Sequence, residues 1–517
     1  MSNSRTVAGL LADIGDAQLL RGSPERQISA IEHDSRRVGP GSLFVAVPGF
    51  TVDGHTFLRA VAASGAAAVL VQADRASTWR DLAPGPAIIA VDDTRRALAG
   101  AAAWFYGHPG REMVVVGVTG TDGKTTTSHL LSSIFESADS RAGRLGTVDV
   151  SIAGAMGSVT TRMTTPEAPE VQALLRQMAD ASCRYAIVES TSHGLALHRL
   201  DHVEYDVAVL TNVTGDHLDF HQTFEAYREA KGLLFEALDR AAPKGIPKTA
   251  VVNADDPAAE YMLARTAARP LRYGLASRVA EVRAEDVRLR GDGSDFRLAT
   301  PEGTVAASIR LPAAFNVLNA LAAASAALAV GIGIDAIARG LEACPGVPGR
   351  MERITAGQPF EVIVDYAHTG DAVRKVLAVL RTLCAGRLII VVGAAGGRDP
   401  ARRAGVGRAV AEGADFAVFT SEDPRGEEPI AIVREIGRHA EATGRIRSRD
   451  FVEIEDRREA IATAFQRAGP GDLVVICGKG HETSIIFADR VEPWDDREVA
   501  REELARLGYE GRHPALH

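Results

Sequence analysis

Apolar positions in this chain fall into short, nearly continuous runs that end in polar residues and give way to helix-like spacing. Val114–Val118 is the clearest case, a β-branched run of the kind that strands buried on both faces show. It enters a Gly-rich turn at 119–123. Lys124, Thr125, Thr126 and Thr127 then open a helical pattern ending near Ser137. Further strands are predicted at Tyr185–Val188, Val207–Leu210 and Thr249–Val252, each with a polar tip. Strand, polar tip and helix in repetition predict a doubly wound, mostly parallel α/β sheet, which binds ligands at the carboxyl ends of its strands. Upstream, strand patterns at Ser42–Val47, Ala67–Val71 and Ala87–Val91 predict a separate α/β block. Downstream, Glu361–Val364, Leu388–Val392, Phe416–Thr420 and Leu473–Ile476 predict an open, Rossmann-like α/β sheet. Gly/Pro-rich stretches at Gly107–Glu112 and Cys344–Arg350 separate the blocks. Three domains are expected, 1–108, 109–347 and 348–517, because 517 residues exceed what one core can serve.

Composition removes several classes of function. No apolar run reaches the ~18 residues of a membrane span. The N-terminus lacks a basic segment leading into an apolar core. Asp plus Glu number 67 against 58 Lys plus Arg, a net charge of −9 that argues against a nucleic-acid footprint. The four cysteines are scattered without metal spacing, as in reduced cytosolic proteins. A cytoplasmic protein without nucleic-acid or membrane partners is expected.

The segment 114–130 has the layout of a phosphate-binding loop: a strand, a Gly-rich turn, then Lys124 and Thr125 at a helix N-terminus. Such loops cradle phosphates with backbone N–H groups, neutralise them with the lysine and ligate Mg²⁺ with the hydroxyl. The match to G-x-x-x-x-G-K-[ST] is imperfect, since Val118 stands at the first glycine position. Glu189 and His217 follow adjacent strands and could face that loop as Mg²⁺ ligands. Imidazole is an unusual ligand for this hard cation, and the spacing fits equally a capping acid and a satisfied polar histidine. Lys231 lies in a helical stretch, where a lone lysine usually faces solvent. Asp365 and His368 follow a strand, where the aspartate could simply cap a helix. Two Gly-rich loops, Gly393–Asp399 and Gly478–Glu482, allow close backbone approach to a ligand or are ordinary tight turns.

Taken together, the motifs resemble the Mur ligase family, over nearly the whole chain. DSRRVGPGSLF (Asp34–Phe44), with Ser35, and DGH (Asp53–His55) are similar to its UDP-binding first domain. TGTDGKTT (Thr119–Thr126) matches its own phosphate-loop glycine spacing, with Asp122 where Asn is commoner. TTPEAPE (Thr164–Glu170), ESTSHGLALHR (Glu189–Arg199), DHLDFHQTFEAYREAKGLLF (Asp216–Phe235), FNVLNALAA (Phe315–Ala323), PGRMER (Pro348–Arg353), DYAHT (Asp365–Thr369) and GKGHE (Gly478–Glu482) complete the set in family order.

The resemblance implies roles. Gly120, Thr121, Asp122, Gly123, Lys124, Thr125 and Thr126 would bind ATP, helped by Asn316 and Arg350. Thr125, Glu189, His217 and a carbamylated Lys231 would hold Mg²⁺. Ser35, Thr164, Thr165, Thr191 and Arg199 would hold UDP-MurNAc-L-Ala-D-Glu. Arg398, Glu422, Asp423, Pro424, Arg425, Gly478 and Glu482 would receive the third amino acid of the stem peptide. The chemistry would be an acyl phosphate formed with ATP and opened by the amine, with His368 or Asp365 as general base. The chain departs from the pattern at Met163 and Leu197, where Asn and Gln are usual. It departs again at Glu422-Asp423-Pro424-Arg425, where diaminopimelate-adding members show D-N-P-R. The added negative charge at 422, 423, 427 and 428 leads to an expected preference for L-lysine or L-ornithine over meso-diaminopimelate, although Arg425 matches the diaminopimelate motif. Rival readings are a folylpolyglutamate synthetase-like ligase, disfavoured by the DSR…DGH block, and a non-catalytic regulator with the same fold, disfavoured by the intact Lys124, Glu189, His217 and Lys231.

Overall fold

The computed structural model describes residues 5–50, 52–75, 79, 85–146, 148–157 and 165–509. The chain forms two compact units, one of Met1–Val287, Phe296–Ser308 and Phe315–Cys344, the other of Arg288–Asp295, Ile309–Ala314 and Pro345–His517.

The first unit holds two sheets. The N-terminal one has five strands, with Ala30–Glu32, Ser42–Val45, Ala68–Gln72 and Ala87–Val91 parallel and Gln18–Arg21 antiparallel at the edge. The large sheet has eleven strands. Its parallel centre runs Ala142–Leu145, Tyr185–Glu189, Val114–Thr119, Val207–Leu210, Thr249–Asn253 and Arg269–Gly274 in spatial order. Val114–Thr119 sits between two parallel neighbours and is covered on both faces, so Val115, Val116 and Val118 are fully buried. That double burial is why it reads as a β-branched run rather than as an alternation.

Two helices frame the site. The phosphate-loop helix, Lys124–Ser137, opens on Gly123 in the left-handed region (φ 86°) with no side-chain cap. The helix Phe224–Arg240 is capped by Thr223, whose hydroxyl accepts from the Ala226 N–H. Its buried positions, Tyr227, Ala230, Lys231, Leu234, Phe235 and Leu238, recur at 3.6-residue spacing and face the sheet. Lys231 therefore falls inside the apolar stripe. The surface position expected for a lone helical lysine is wrong here, because helix phase decides burial.

In the second unit, Glu361–Asp365, Leu473–Cys477, Leu388–Val392, Phe416–Phe419 and Phe451–Glu453 pair in parallel in that order, with Glu352–Arg353 antiparallel at the edge. The carboxyl ends of its four longest strands carry the segments DYAHT, GKGHE, GAAGGRD and SEDPRGEEP side by side, at the edge where parallel sheets bind ligands.

Candidate active site

The phosphate loop is held from several sides. Thr211 Oγ1 donates to the Asp122 carbonyl at 2.6 Å, and the Asp122 N–H donates to Asn212 Oδ1 at 3.0 Å. Thr121 Oγ1 donates to the Thr214 carbonyl at 3.1 Å and lies 3.0 Å from the Tyr227 hydroxyl. The glycines are sterically required at two points. A Cβ at Gly120 would lie 1.8 Å from Thr211 Oγ1, and one at Gly123 2.2 Å from Asn319 Oδ1. Asn319, buried and bonded to Asn316 Oδ1 at 3.1 Å, thus shapes the start of the helix. It lies in the motif FNVLNALAA, but only its contact with Gly123 marks it, and sequence spacing does not show that contact.

Lys124 Nζ donates to the Gly120 and Thr121 carbonyls, both at 2.9 Å. Lys231 Nζ donates to the same Gly120 carbonyl at 2.7 Å and sits 4.3 Å from the centre of the Tyr227 ring. Burial, reinforced by the positive charge of Lys124, pushes the Lys231 pKa well below the usual lysine range. Thr125 Oγ1 donates to Glu189 Oε2 at 3.1 Å, with both residues buried. Thr126 is buried beside them in sequence. Glu189 does not cap the next helix, because Thr191 does so through the Gly194 N–H.

His217 takes a left-handed backbone (φ 54°). Its N–H donates to Asp216 Oδ1 at 2.8 Å and its ring lies 4.7 Å from that of His193. Among the described residues no three His, Cys, Asp or Glu side chains converge on one point. Among the described residues, these side chains alone therefore make no closed cation cage. The contacting Thr125 hydroxyl and Glu189 carboxylate are hard oxygen donors. They fit Mg²⁺ of the kind that is bound by one or two carboxylates together with substrate phosphates.

In the segments assigned to the nucleotide sugar, Thr165 Oγ1 lies 2.8 Å from Thr191 Oγ1. Arg199 donates to the Thr165 carbonyl at 3.2 Å and pairs with Glu167 at 2.6 Å. Ser35 begins a 3₁₀ turn capped by Asp34. Thr164 lies outside the described residues, as does Met163.

The second unit assembles the remaining positions. The Asp365 carboxylate accepts the Met351 and Ala367 N–H groups, both at 2.8 Å. It therefore shapes the turn rather than capping the next helix, which Thr369 caps. His368 Nδ1 lies 2.9 Å from the Tyr366 carbonyl, which fixes the proton on Nδ1 and leaves Nε2 as the acceptor. The Tyr366 hydroxyl donates to Glu482 Oε1 at 3.2 Å, and the Arg350 guanidinium covers the Tyr366 ring at 4.4 Å. Two backbone N–H groups tie the Gly393–Asp399 loop to the next: that of Gly396 donates to the Asp423 carbonyl at 2.8 Å and that of Gly397 to the Glu427 carboxylate at 2.7 Å. Arg398 is exposed on that loop. Arg425 takes a left-handed backbone (φ 54°), with a buried Nε that has no hydrogen-bond partner among the described residues. Pro424 is buried between Asp423 and Arg425.

Glu422 is buried under Gly478, where a Cβ would stand 2.9 Å from its Oε2. That oxygen has no hydrogen-bond partner among the described residues, and burial raises the carboxyl pKa. Lys479, a polar group of the GKGHE loop to which the motif assigns no role, is almost fully buried. Burial opposes its charge, but Glu482 and Asp423 outweigh that and hold its pKa above the usual lysine range.

Three family models match the chain in order: "Mur ligase family, catalytic domain" over 27–106, "Mur ligase middle domain" over 118–327 and "Mur ligase, glutamate ligase domain" over 349–480. The UDP-N-acetylmuramyl-tripeptide synthetase of Roseiflexus sp. (strain RS-1) is 49% identical over 94% of this chain and 96% of its own. The UDP-N-acetylmuramoyl-L-alanyl-D-glutamate–2,6-diaminopimelate ligase of Geobacillus kaustophilus (strain HTA426) is 42% identical over 94% and 96%. A solved structure of a ligase with that same diaminopimelate name superposes with a TM-score of 0.66 at 30% identity, covering 95% of this chain and 97% of the other. The fold and the phosphate loop define an ATP-dependent, amide-bond-forming ligase with the three-domain architecture of peptidoglycan-precursor enzymes. The chain belongs to the Mur ligase family.

Proposed function

We propose that this chain joins a diamino acid to the D-Glu γ-carboxylate of UDP-MurNAc-L-Ala-D-Glu in the cytoplasm, acting as a monomer. The observation that carries this reading is the phosphate loop with two lysines, Lys124 and Lys231, on one carbonyl, that of Gly120. Residues 1–108 serve the UDP moiety, 109–347 the ATP and 348–517 the amino acid. Thr164, Thr165, Thr191, Arg199 and Ser35 hold the nucleotide-sugar peptide. Asn316 and Arg350 assist ATP.

The γ-carboxylate oxygen attacks the γ-phosphorus of ATP, the bond to the bridging oxygen breaks and ADP leaves. Lys124 neutralises charge on the transferring group. The neutral amine then attacks the acyl carbon. Its proton passes to His368 Nε2, and phosphate departs to leave the amide. His368 is favoured over Asp365 as the base, since both Asp365 oxygens already accept backbone N–H groups. Thr125, Glu189, His217 and carbamylated Lys231 would hold Mg²⁺, which supplies electrostatic stabilisation of the phosphate oxygens when bound. Lys231 suits carbamylation because its burial favours the neutral amine, the form that adds to CO₂.

For the amino acid, a basic residue such as L-lysine or L-ornithine is supported by the buried Glu422 carboxyl, whose Oε2 has no hydrogen-bond partner among the described residues and makes a poor neighbour for a distal carboxylate. A second reading, meso-diaminopimelate, is supported by two internal pairings. Asp423 is matched by Lys479 at 2.8 Å, and Glu427 by Arg403 at 2.7 Å. These remove much of the repulsion against a distal carboxylate, while Arg425 offers it a cation. A competition assay with equal L-lysine, L-ornithine and meso-diaminopimelate decides. Predominant diaminopimelate incorporation overturns the basic-residue reading. Failure to release phosphate with any of the three, in the presence of the UDP-dipeptide, overturns the reaction itself.

A further inference from the structure

Position 423 carries a carboxylate where the resemblance leads one to expect an amide. Asp423 is 6% exposed, so it lies away from solvent. Its Oδ1 accepts from Lys479 Nζ at 2.8 Å and from the Ile486 N–H at 3.0 Å. Its backbone carbonyl accepts the Gly396 N–H. Lys479 is 1% exposed and reaches one further anion, Glu482. The Glu482 side chain, at 34% exposure, is the open end of the group, and its second oxygen accepts from Tyr366. One buried ammonium thus sits between a buried carboxylate and a partly exposed one. Because the Asp423 side chain is only 8% exposed and its Oδ1 already faces Lys479 and the Ile486 N–H, it is poorly placed to read a substrate's tail. Its charge acts on Lys479.

We infer that Asp423 is a positioning residue: it matches the charge of Lys479, so that Glu482 keeps its negative charge for an ammonium of the incoming amino acid. The trio Asp423, Lys479 and Glu482 carries one net negative charge. With an amide at 423, the same lysine pairs with Glu482 alone and cancels it. A buried cation left with one counter-ion also draws that counter-ion closer and fixes its rotamer. The role rests on the proposed function, in which Glu482 receives the amino acid. It differs from a direct reading of the substrate, which would make 423 discriminate among amino acids. L-Lysine, L-ornithine and meso-diaminopimelate each carry a distal ammonium, so weakening Glu482 acts on all of them alike.

The test is Asp423→Asn, which is nearly isosteric and can still accept the Ile486 N–H. KM and kcat are measured separately for L-lysine, L-ornithine and meso-diaminopimelate at saturating ATP and UDP-dipeptide. The KM of every accepted amino acid should rise about tenfold, the scale of a lost charge-assisted hydrogen bond, by a common factor. kcat should hold within about twofold and the competition ratio should not move. Glu482→Gln should have a similar effect, and the double variant should be little worse than the poorer single one. A changed ratio among the amino acids, a wild-type KM, or strictly additive effects in the double variant would each overturn the role. Calorimetric titration of the three amino acids into the same variants reads the common factor without turnover. An inactive preparation therefore counts against the reaction proposed above, not against this role.

Discussion

Lys231 shows how a residue's chemistry is set by its surroundings. Its side chain is buried in an apolar stripe, its Nζ touches the Gly120 carbonyl and the Tyr227 ring, and Lys124 lies near enough to repel a second positive charge. Desolvation disfavours the ammonium, so a nucleophilic amine is held directly beneath the phosphate loop. Lys231→Ala is expected to lower turnover by about 10²–10³-fold, the scale of removing one preorganised electrostatic partner, with an unchanged melting temperature. Formate or acetate should restore part of the rate by replacing the missing anion. ¹³C-labelled bicarbonate should give a carbamate NMR signal in the native protein that is absent from the variant. Native-like turnover by Lys231→Ala would remove the lysine from the mechanism.

At the scale of elements, the second unit depends on a buried ion pair between two helices. Arg457, at the start of the helix Arg457–Arg467, pairs with Asp496, at the start of the helix Asp496–Arg506. The contact is 2.7 Å, with side chains 1% and 0% exposed. The same guanidinium donates to the Ser421 carbonyl at 3.1 Å and the Cys477 carbonyl at 2.9 Å. These two carbonyls lie immediately before Glu422 and Gly478. A helix-borne arginine therefore fixes the tips of two parallel strands against each other. Breaking a buried pair from one side leaves an uncompensated charge, which outweighs the modest net value of the intact pair. Asp496→Ala should cost about 3–5 kcal/mol in urea unfolding of the protein. A loss under 1 kcal/mol would mean that Arg457 finds another counter-charge. Asp496→Asn, which keeps one acceptor, should fall between.

For the whole molecule, acid sensitivity follows from His481. Burial, with the charges of Arg350, Arg497 and Lys479 acting in the same direction, pushes its pKa from 6.5 down to about 3. Between those values the unfolded chain binds a proton that the folded chain refuses. Stability is therefore fully present above pH 6.5 and is lost as pH falls towards about 3. The loss from this residue reaches at most about 5 kcal/mol at the acid end. His481→Gln should flatten the fall of unfolding free energy across that window while leaving the pH 7–8 plateau level. Parallel slopes for the native protein and the variant would show that other groups carry the acid sensitivity.

The strand-and-helix grammar, the phosphate loop and the order of the motifs are legible in the chain before it folds. These are local: a run of valines ending in Gly-Lys-Thr needs no distant partner to be read, and Tyr185–Glu189, Val207–Leu210 and Leu473–Cys477 lie where their apolar runs predicted. The strands at Val282–Arg290, Gly293–Thr300 and Gly303–Ile309 carry no such run: the first is charged and mostly exposed, and in the other two Gly, Ser, Thr, Asp or Arg interrupt the apolar positions. Tertiary structure alone decided which side chains meet. It buried Lys231 by helix phase and set Asn319 against Gly123. It also gave Asp365 to two backbone amides rather than to a helix cap. The same holds for the acidic segment Glu422–Glu428. Formal charges counted along the chain suggest a repulsive site, but a count cannot show that Lys479 faces Asp423 and Arg403 faces Glu427. Coulomb interactions depend on distance and burial, and both are properties of the folded chain.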